Sequence, residues 1–382
     1  MRARWIAPAL MLASVARGQP PVEVGRVAID DDSGRALAAL HGALERARDG
    51  GRARITIWGA SHVASDQYPG MLRTALQRRY GDGGPGLVLP ASPFSLYAHT
   101  DVRVARAGAW RALRVRGSRR ERDAYGPFGV ALESSRPARA RAELVRGTVE
   151  RAVVYFLRQP GGGTLELTLH PSGERRIVRT DGPRAAETVE VRGSIRSVEL
   201  RARGDGPLRI FGVSLERDRG VIVDSLGIPG SRLRDRLPWD DALLRPQLAA
   251  LAPDLIVLAY GTNETGARRS LARVRSEADE AVRRARALSP NASCLLIGPS
   301  DWPVRTSDGA WIARERTSAI VALQRELARE HGCGFFDLVA LQGGPGSMPR
   351  WVEAGLALDD YVHFTDEGHR LIARALWRAL LP

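Results

Sequence analysis

Five short runs of this chain are apolar or nearly so, at 55–58, where Thr56 is the one polar residue, and at 221–223, 255–260, 294–297 and 334–336. A run with no polar alternation suits a strand covered on both faces rather than one half-exposed to water. Between and after them lie segments of helical period, at 268–288, at 310–330 and from Asp366 onward, in which arginines and acids alternate with apolar positions. These predict covering helices with one solvated face. Alternation of this kind predicts a parallel sheet with helices on both faces and a site at the C-terminal ends of its strands.

From about 90 to 220 the pattern changes to short segments of period two, as at 153–157, 164–169, 187–191 and 198–202, separated by turns such as 159–163 and 171–173. This predicts an all-β sandwich, jelly-roll-like, inserted into the α/β unit and returning at 208–215. The expected division is 20–89 and 219–382 for the α/β unit and 90–218 for the insert.

The apolar runs end on residues with chemistry. The first stops at Gly59-Ala60 and delivers Ser61 ahead of a polar turn and a helix at 66–77, and near the other end of the chain Asp360 stands three positions before His363. A serine hydroxyl attacks a carbonyl only when an imidazole takes its proton, and a carboxylate fixes that imidazole's tautomer. The run at 255–260 leads into Gly261-Thr262-Asn263, whose amide is a donor for an oxyanion, and the one at 221–223 leads to the glycine turn of Gly227 and Gly230.

The order Ser, Gly, Asn, then Asp and His, each after a strand-like segment, resembles the SGNH (GDSL-type) hydrolase superfamily over roughly 34–89 and 219–382. The resemblance implies a flavodoxin-like three-layer α/β/α fold, a serine esterase activity and no cofactor. By position it implies Ser61 as nucleophile, His363 as base and Asp360 as orienting carboxylate. Gly230 and Asn263, with the Ser61 N–H, would form the oxyanion hole, Gly227 being the alternative glycine. One departure is Ala60, where the family's Gly-Asp-Ser carries an aspartate that supports the loop. The stretch 66–88 is similar to the subgroup that includes peptidoglycan and polysaccharide O-acetylesterases, and it implies an acylated polysaccharide as substrate. A lipid or aryl esterase, or a non-catalytic or acetyl-transferring envelope protein, are the alternatives.

Around this set, His62, Gly227 and Asp301 are cleft-wall candidates, and His62 and His369 compete with His363 as bases without a carboxylate at its spacing. The glycine-rich loop 342–348 is expected to shape the entrance, and Tyr97, Trp110 and Tyr125 are candidates for a sugar-stacking face.

Composition adjusts this picture at the margins. The net charge of +14, with histidine taken as neutral, is the excess of arginine over acidic residues, since the chain has no lysine, and the arginines are spread over all segments. No dense basic patch interleaved with aromatics occurs, so nucleic acid is not an expected partner. Residues 1–18 read as a secretory signal peptide, with a basic start and a short apolar run, which predicts a periplasmic or extracellular protein. No run is long enough for a transmembrane anchor. Cys294 and Cys333 are expected to be buried free thiols on neighbouring strands, with a disulfide between them as the alternative in an oxidising compartment, and no Cys-x-x-Cys or His-x-x-x-His spacing points to a metal.

Overall fold

The computed structural model describes residues 25–116 and 124–381, and the expected signal peptide lies outside them. Strands are numbered in chain order. A central parallel sheet has the order β13-β1-β14-β15-β18, formed by Gly220–Gly227, Arg52–Gly59, Leu255–Ala259, Ser293–Ile297 and Gly334–Phe336. Its strands are buried almost throughout.

Side chains leave β1 alternately to two cores, as a pleated strand requires. Ala53, Ile55 and Ile57 join the helices α1 (Ala38–Arg48), α3 (Gln67–Tyr80) and α10 (Asp366–Leu380) on one face. Trp58 joins α4 (Asp241–Leu251), α6 (Leu271–Leu288) and α7 (Glu315–Glu330) on the other. The helix expected from 310 begins only at Glu315, because β16 (Val304–Arg305) and β17 (Trp311–Ile312) form a small hairpin ahead of it.

The intervening segment builds two antiparallel sheets. One has the order β10-β7-β12-β5-β4 (Ala185–Ile195, Val149–Arg158, Leu208–Glu216, Val130–Ser134, Arg111–Arg114), with β2 (Gly86–Val88) also paired to β12. The other has the order β3-β6-β11-β8-β9 (Val102–Gly108, Ala138–Leu144, Ser197–Ala202, Thr164–His170, Arg175–Arg179). They enclose one apolar core: Ala152, Val154, Ile210 and Val213 of the first sheet meet Ala140, Ala142, Leu167 and Leu200 of the second. The first sheet is covered on its other side too, because Val153, Tyr155, Leu157 and Phe211 pack into the same core as Trp58, Leu226 and Leu258. The alternation expected at 153–157 is thus corrected: the segment is continuously apolar because both faces of its sheet are covered.

A buried ionic cluster joins this sheet to the central one. Arg54 of β1 donates to Asp224 of β13 at 2.9 Å and to Glu216 of β12 at 2.9 Å, and its remaining nitrogen reaches the Ser214 hydroxyl at 2.7 Å. Asp224 is further held by the Thr56 hydroxyl and the Leu87 N–H. Every charge taken from water here has an opposite partner, which is the condition for burying it.

Three further expectations are corrected at this level. Cys294 and Cys333 are joined as a disulfide rather than free: each stands one residue before the paired Leu295 and Gly334 of adjacent parallel strands, which brings their Cα atoms to 4.5 Å. Trp110 and Tyr125 are buried, Trp110 donating to the Arg139 carbonyl, and Tyr97 packs against the core with its hydroxyl on the Leu89 N–H, so these aromatics form no exposed stacking face. Asp301 is fully buried, accepting from the Met348 N–H at 2.9 Å while its own N–H donates to Gln342. It anchors both ends of the 342–348 loop from beneath and lines no cleft.

Candidate active site

Strand β1 ends at Gly59, and the chain turns through Ala60 into the single helical turn α2 (Ser61–Ala64). The turn is tight because Gly59 and Gly227 are paired in register and the backbone of α2 lies on Gly227. A Cβ at Gly227 would stand 2.1 Å from the Ala64 nitrogen, so this position carries the close approach of helix to strand rather than a cleft wall. Ser61 is thereby lifted, half-buried, at the C-terminal edge of the sheet.

The opposite side of the site comes from the loop before α10. Thr365 caps that helix through the Gly368 N–H and bonds the Gly355 carbonyl, which fixes the segment just after His363. Upstream, the carboxylate of Asp360 receives the backbone N–H groups of Val362 and His363 on Oδ1, both at 2.9 Å. Its Oδ2 lies 2.6 Å from His363 Nδ1, and His363 Nε2 lies 2.9 Å from the Ser61 hydroxyl. Partial burial works against the Asp360 charge, yet the His363 N–H and ring and the Val362 N–H hold its carboxyl below the usual carboxylate range. With Nδ1–H donating to Asp360, Nε2 is left as the acceptor for the serine proton.

The competing histidines are set differently. His62 is bonded through Nε2 to the Val362 carbonyl at 3.0 Å, and burial, with His369 and His363 nearby, lowers its pKa to about 3. Burial likewise takes His369 to about 4, helped by His363. Both stay neutral at ordinary pH and are weak proton acceptors. His62 braces the loop that carries His363, a role its place next to Ser61 did not disclose.

On the other side of Ser61, Ile228 donates to the Gly59 carbonyl and the Ser231 hydroxyl lies 3.1 Å from it, which holds the glycine turn against β1. Gly230 sits in this turn with φ 72°, and the Asn263 amide donates to the Ser231 carbonyl at 3.0 Å. Asn263 belongs to α5 (Thr262–Thr265), which follows β14 and is tied down by Glu264, whose carboxylate accepts from Leu233 and Gly261. Sequence reading missed Arg116, whose guanidinium lies against Gly230. It also missed Trp311, whose ring stacks on Tyr361 between Asp360 and His363. Among the described residues no group of His, Cys, Asp and Glu is arranged to hold a metal ion, and no helix is long and apolar enough to cross a membrane.

This arrangement of hydroxyl, imidazole and carboxylate suits acyl transfer through serine. Residues 191–371 match the GDSL-like lipase/acylhydrolase family. The match includes Asn263, Asp360 and His363 and begins after Ser61, which the antiparallel strands separate from the rest in sequence. A solved peptidoglycan O-acetylesterase is 25% identical, covering 92% of this chain and 97% of that one, with a TM-score of 0.78. A family two carbohydrate esterase from Cellvibrio japonicus is 14% identical over 73% of this chain and 97% of that one, with a TM-score of 0.29. No curated protein matches the chain. The chain thus carries a GDSL-like lipase/acylhydrolase domain and is a carboxylic ester hydrolase that resembles SGNH-type O-acetylesterases.

Proposed function

We propose that this ester hydrolase is an exported SGNH-type esterase that removes O-acetyl groups from an envelope polysaccharide, with peptidoglycan as the first candidate. The observation that carries this reading is the single line of contacts from Asp360 through His363 to Ser61, residues 302 apart in sequence at its last link. In the proposed course, His363 takes the Ser61 proton as the hydroxyl oxygen attacks the acetyl carbonyl. The Ser61 N–H, the Gly230 N–H and the Asn263 amide receive the negative charge on the carbonyl oxygen. His363 then returns the proton to the departing sugar oxygen, leaving an acetyl-serine. Water, deprotonated by the same imidazole, attacks that ester, and acetate leaves as Ser61 regains its proton.

Polysaccharide as substrate is supported by the likeness to the peptidoglycan O-acetylesterase, which extends over both the α/β part and the antiparallel sheets. Export is supported by the Cys294–Cys333 bond, of a kind that persists in oxidising compartments, and by the signal-like residues 1–18. We read the antiparallel strands as a jelly-roll-like, carbohydrate-binding-like unit spanning 90–218 that helps hold the glycan.

The test is hydrolysis of p-nitrophenyl acetate against butyrate and octanoate esters, followed by acetate release from O-acetylated peptidoglycan and acetylated xylan. Short-chain preference, with loss of at least about a thousandfold in Ser61→Ala and His363→Ala, is expected. Turnover indifferent to Ser61 overturns the mechanism, and acetate release from xylan alone overturns the envelope substrate.

A further inference from the structure

The loop that carries Asp360 and His363 contains an unusual residue. Tyr361 has φ 59°, in the left-handed region that bulky side chains avoid. The turn needs that conformation: only by folding back across residue 361 does one carboxylate meet two backbone N–H groups and the imidazole three positions on. The Tyr361 N–H closes the turn on the Leu358 carbonyl at 3.0 Å, and the Leu358 N–H returns to the His363 carbonyl at 2.8 Å. These bonds shape the loop and leave its outer side to be held by something else.

That side meets the β16–β17 hairpin. Its Trp311 ring lies 3.9 Å from the Tyr361 ring, centroid to centroid, at 27°. The hairpin itself is short and mostly exposed, with Arg305 paired to Trp311 across it and no residue in the buried cores. A tryptophan on so polar and exposed a hairpin is explained by what it touches. On the inner side, His62 holds the Val362 carbonyl from the nucleophile's own helix. The loop is therefore gripped from two directions, at Val362 and at Tyr361.

We propose that Trp311 is a positioning residue for the proposed base: by stacking on Tyr361 it keeps the Asp360–His363 turn in the left-handed form that aims the imidazole at Ser61. This rests on the reading of His363 as the base of an esterase. Trp311 acts through Tyr361 and touches no reacting atom, so its loss lowers the fraction of molecules in which His363 is aligned.

The experiment compares Trp311→Ala, Trp311→Phe, Tyr361→Gly and the Trp311→Ala/Tyr361→Gly pair, using p-nitrophenyl acetate kinetics and amide hydrogen exchange on the full chain. An aromatic contact of this type corresponds to about a fivefold change. Trp311→Ala is expected to lower kcat by about that factor with KM unchanged, and Trp311→Phe to restore most of it. In the Tyr361→Gly background, Trp311→Ala is expected to add nothing, since the contact is already gone. Exchange at the Val362 and His363 amides, which Asp360 protects, is expected to quicken in Trp311→Ala. Additive losses, unchanged exchange, or a raised KM with intact kcat would each overturn the proposal, the last making Trp311 a substrate contact. A wild-type protein inert toward every ester overturns the functional reading instead, while the exchange comparison decides the role of Trp311 separately.

Discussion

Gly59 and Gly227 stand opposite one another at the ends of neighbouring parallel strands, and the backbone of the helix that begins at Ser61 rests on the second of them. Gly227→Ala forces its methyl against backbone at Ala64 and is expected to cost about 3 kcal/mol and to displace Ser61. Gly230→Ala meets only the movable Arg116 guanidinium and the left-handed φ of its turn, and should cost about 1 kcal/mol. Urea unfolding of the two variants, read beside their kcat, checks the order; equal losses would refute it.

Arg54 neutralises two buried carboxylates at once. Arg54→Met leaves Asp224 and Glu216 without that partner and is expected to destabilise the protein by about 3–5 kcal/mol. Chemical denaturation gives the value, and a loss below about 1 kcal/mol would mean the cluster contributes little.

The same cluster sets an acid limit. Burial alone would raise the Glu216 pKa, but Arg54, the Ser214 hydroxyl and Arg151 outweigh it and bring it to about 2, against 4.5 for an unperturbed glutamate. The folded form thus binds this proton more weakly than the unfolded chain. Its stabilising contribution is complete above about pH 4.5 and disappears as pH falls toward 2. Asp66, also brought to about 2 against the opposition of burial, chiefly by Arg73, acts in the same direction. Unfolding midpoints measured between pH 5 and 2, bounds taken from these values, should fall steeply, and less steeply in Glu216→Gln.

Glu264 has the opposite sign. Burial dominates and raises it to about 7, despite the Leu233 and Gly261 N–H groups. Between its unperturbed 4.5 and about 7 the folded protein retains a proton that the unfolded chain releases, so stability declines as pH rises through that window. Thermal melting from pH 5 to 8 should show this decline, bounded by those values, and Glu264→Gln should remove it.

The Cys294–Cys333 bond closes a loop of sequence separation 39. Chain-entropy arguments put its contribution at about 4 kcal/mol. The Cys294→Ser/Cys333→Ser protein should lose about that much, and in the wild-type protein alkylation followed by mass measurement should label two thiols only after reduction.

Much of the fold was readable because the strongest signals are local. The runs at 55–58 and 255–260 are apolar since both faces of those strands are covered, and the serine, asparagine and Asp-x-x-His segments follow strands or precede a helix, where chain order alone marks them. What escaped reading depends on pairings between distant segments. Nothing near Asp301 announces that Met348 closes over it, and nothing near Cys294 fixes its register with Cys333. Trp110 and Tyr125 are identical in sequence terms to surface aromatics, and only packing buries them, Trp110 in the core between the two antiparallel sheets and Tyr125 in the core shared with Trp58. Arg54 within an apolar strand and Trp311 within a polar hairpin gain their meaning from residues far away in the chain.

The antiparallel sheet that shares Tyr155 and Phe211 with the core of Trp58 also limits how the molecule can be taken apart. Excising the strands between Leu89 and Gly220 would strip part of the cover from one side of the parallel sheet, remove Glu216 and leave Arg54 and Asp224 open to solvent on that side. The result would be an opened enzyme rather than a smaller one. A transplanted replacement would have to reproduce a matching apolar wall for the central sheet, so the two parts are constrained to change together.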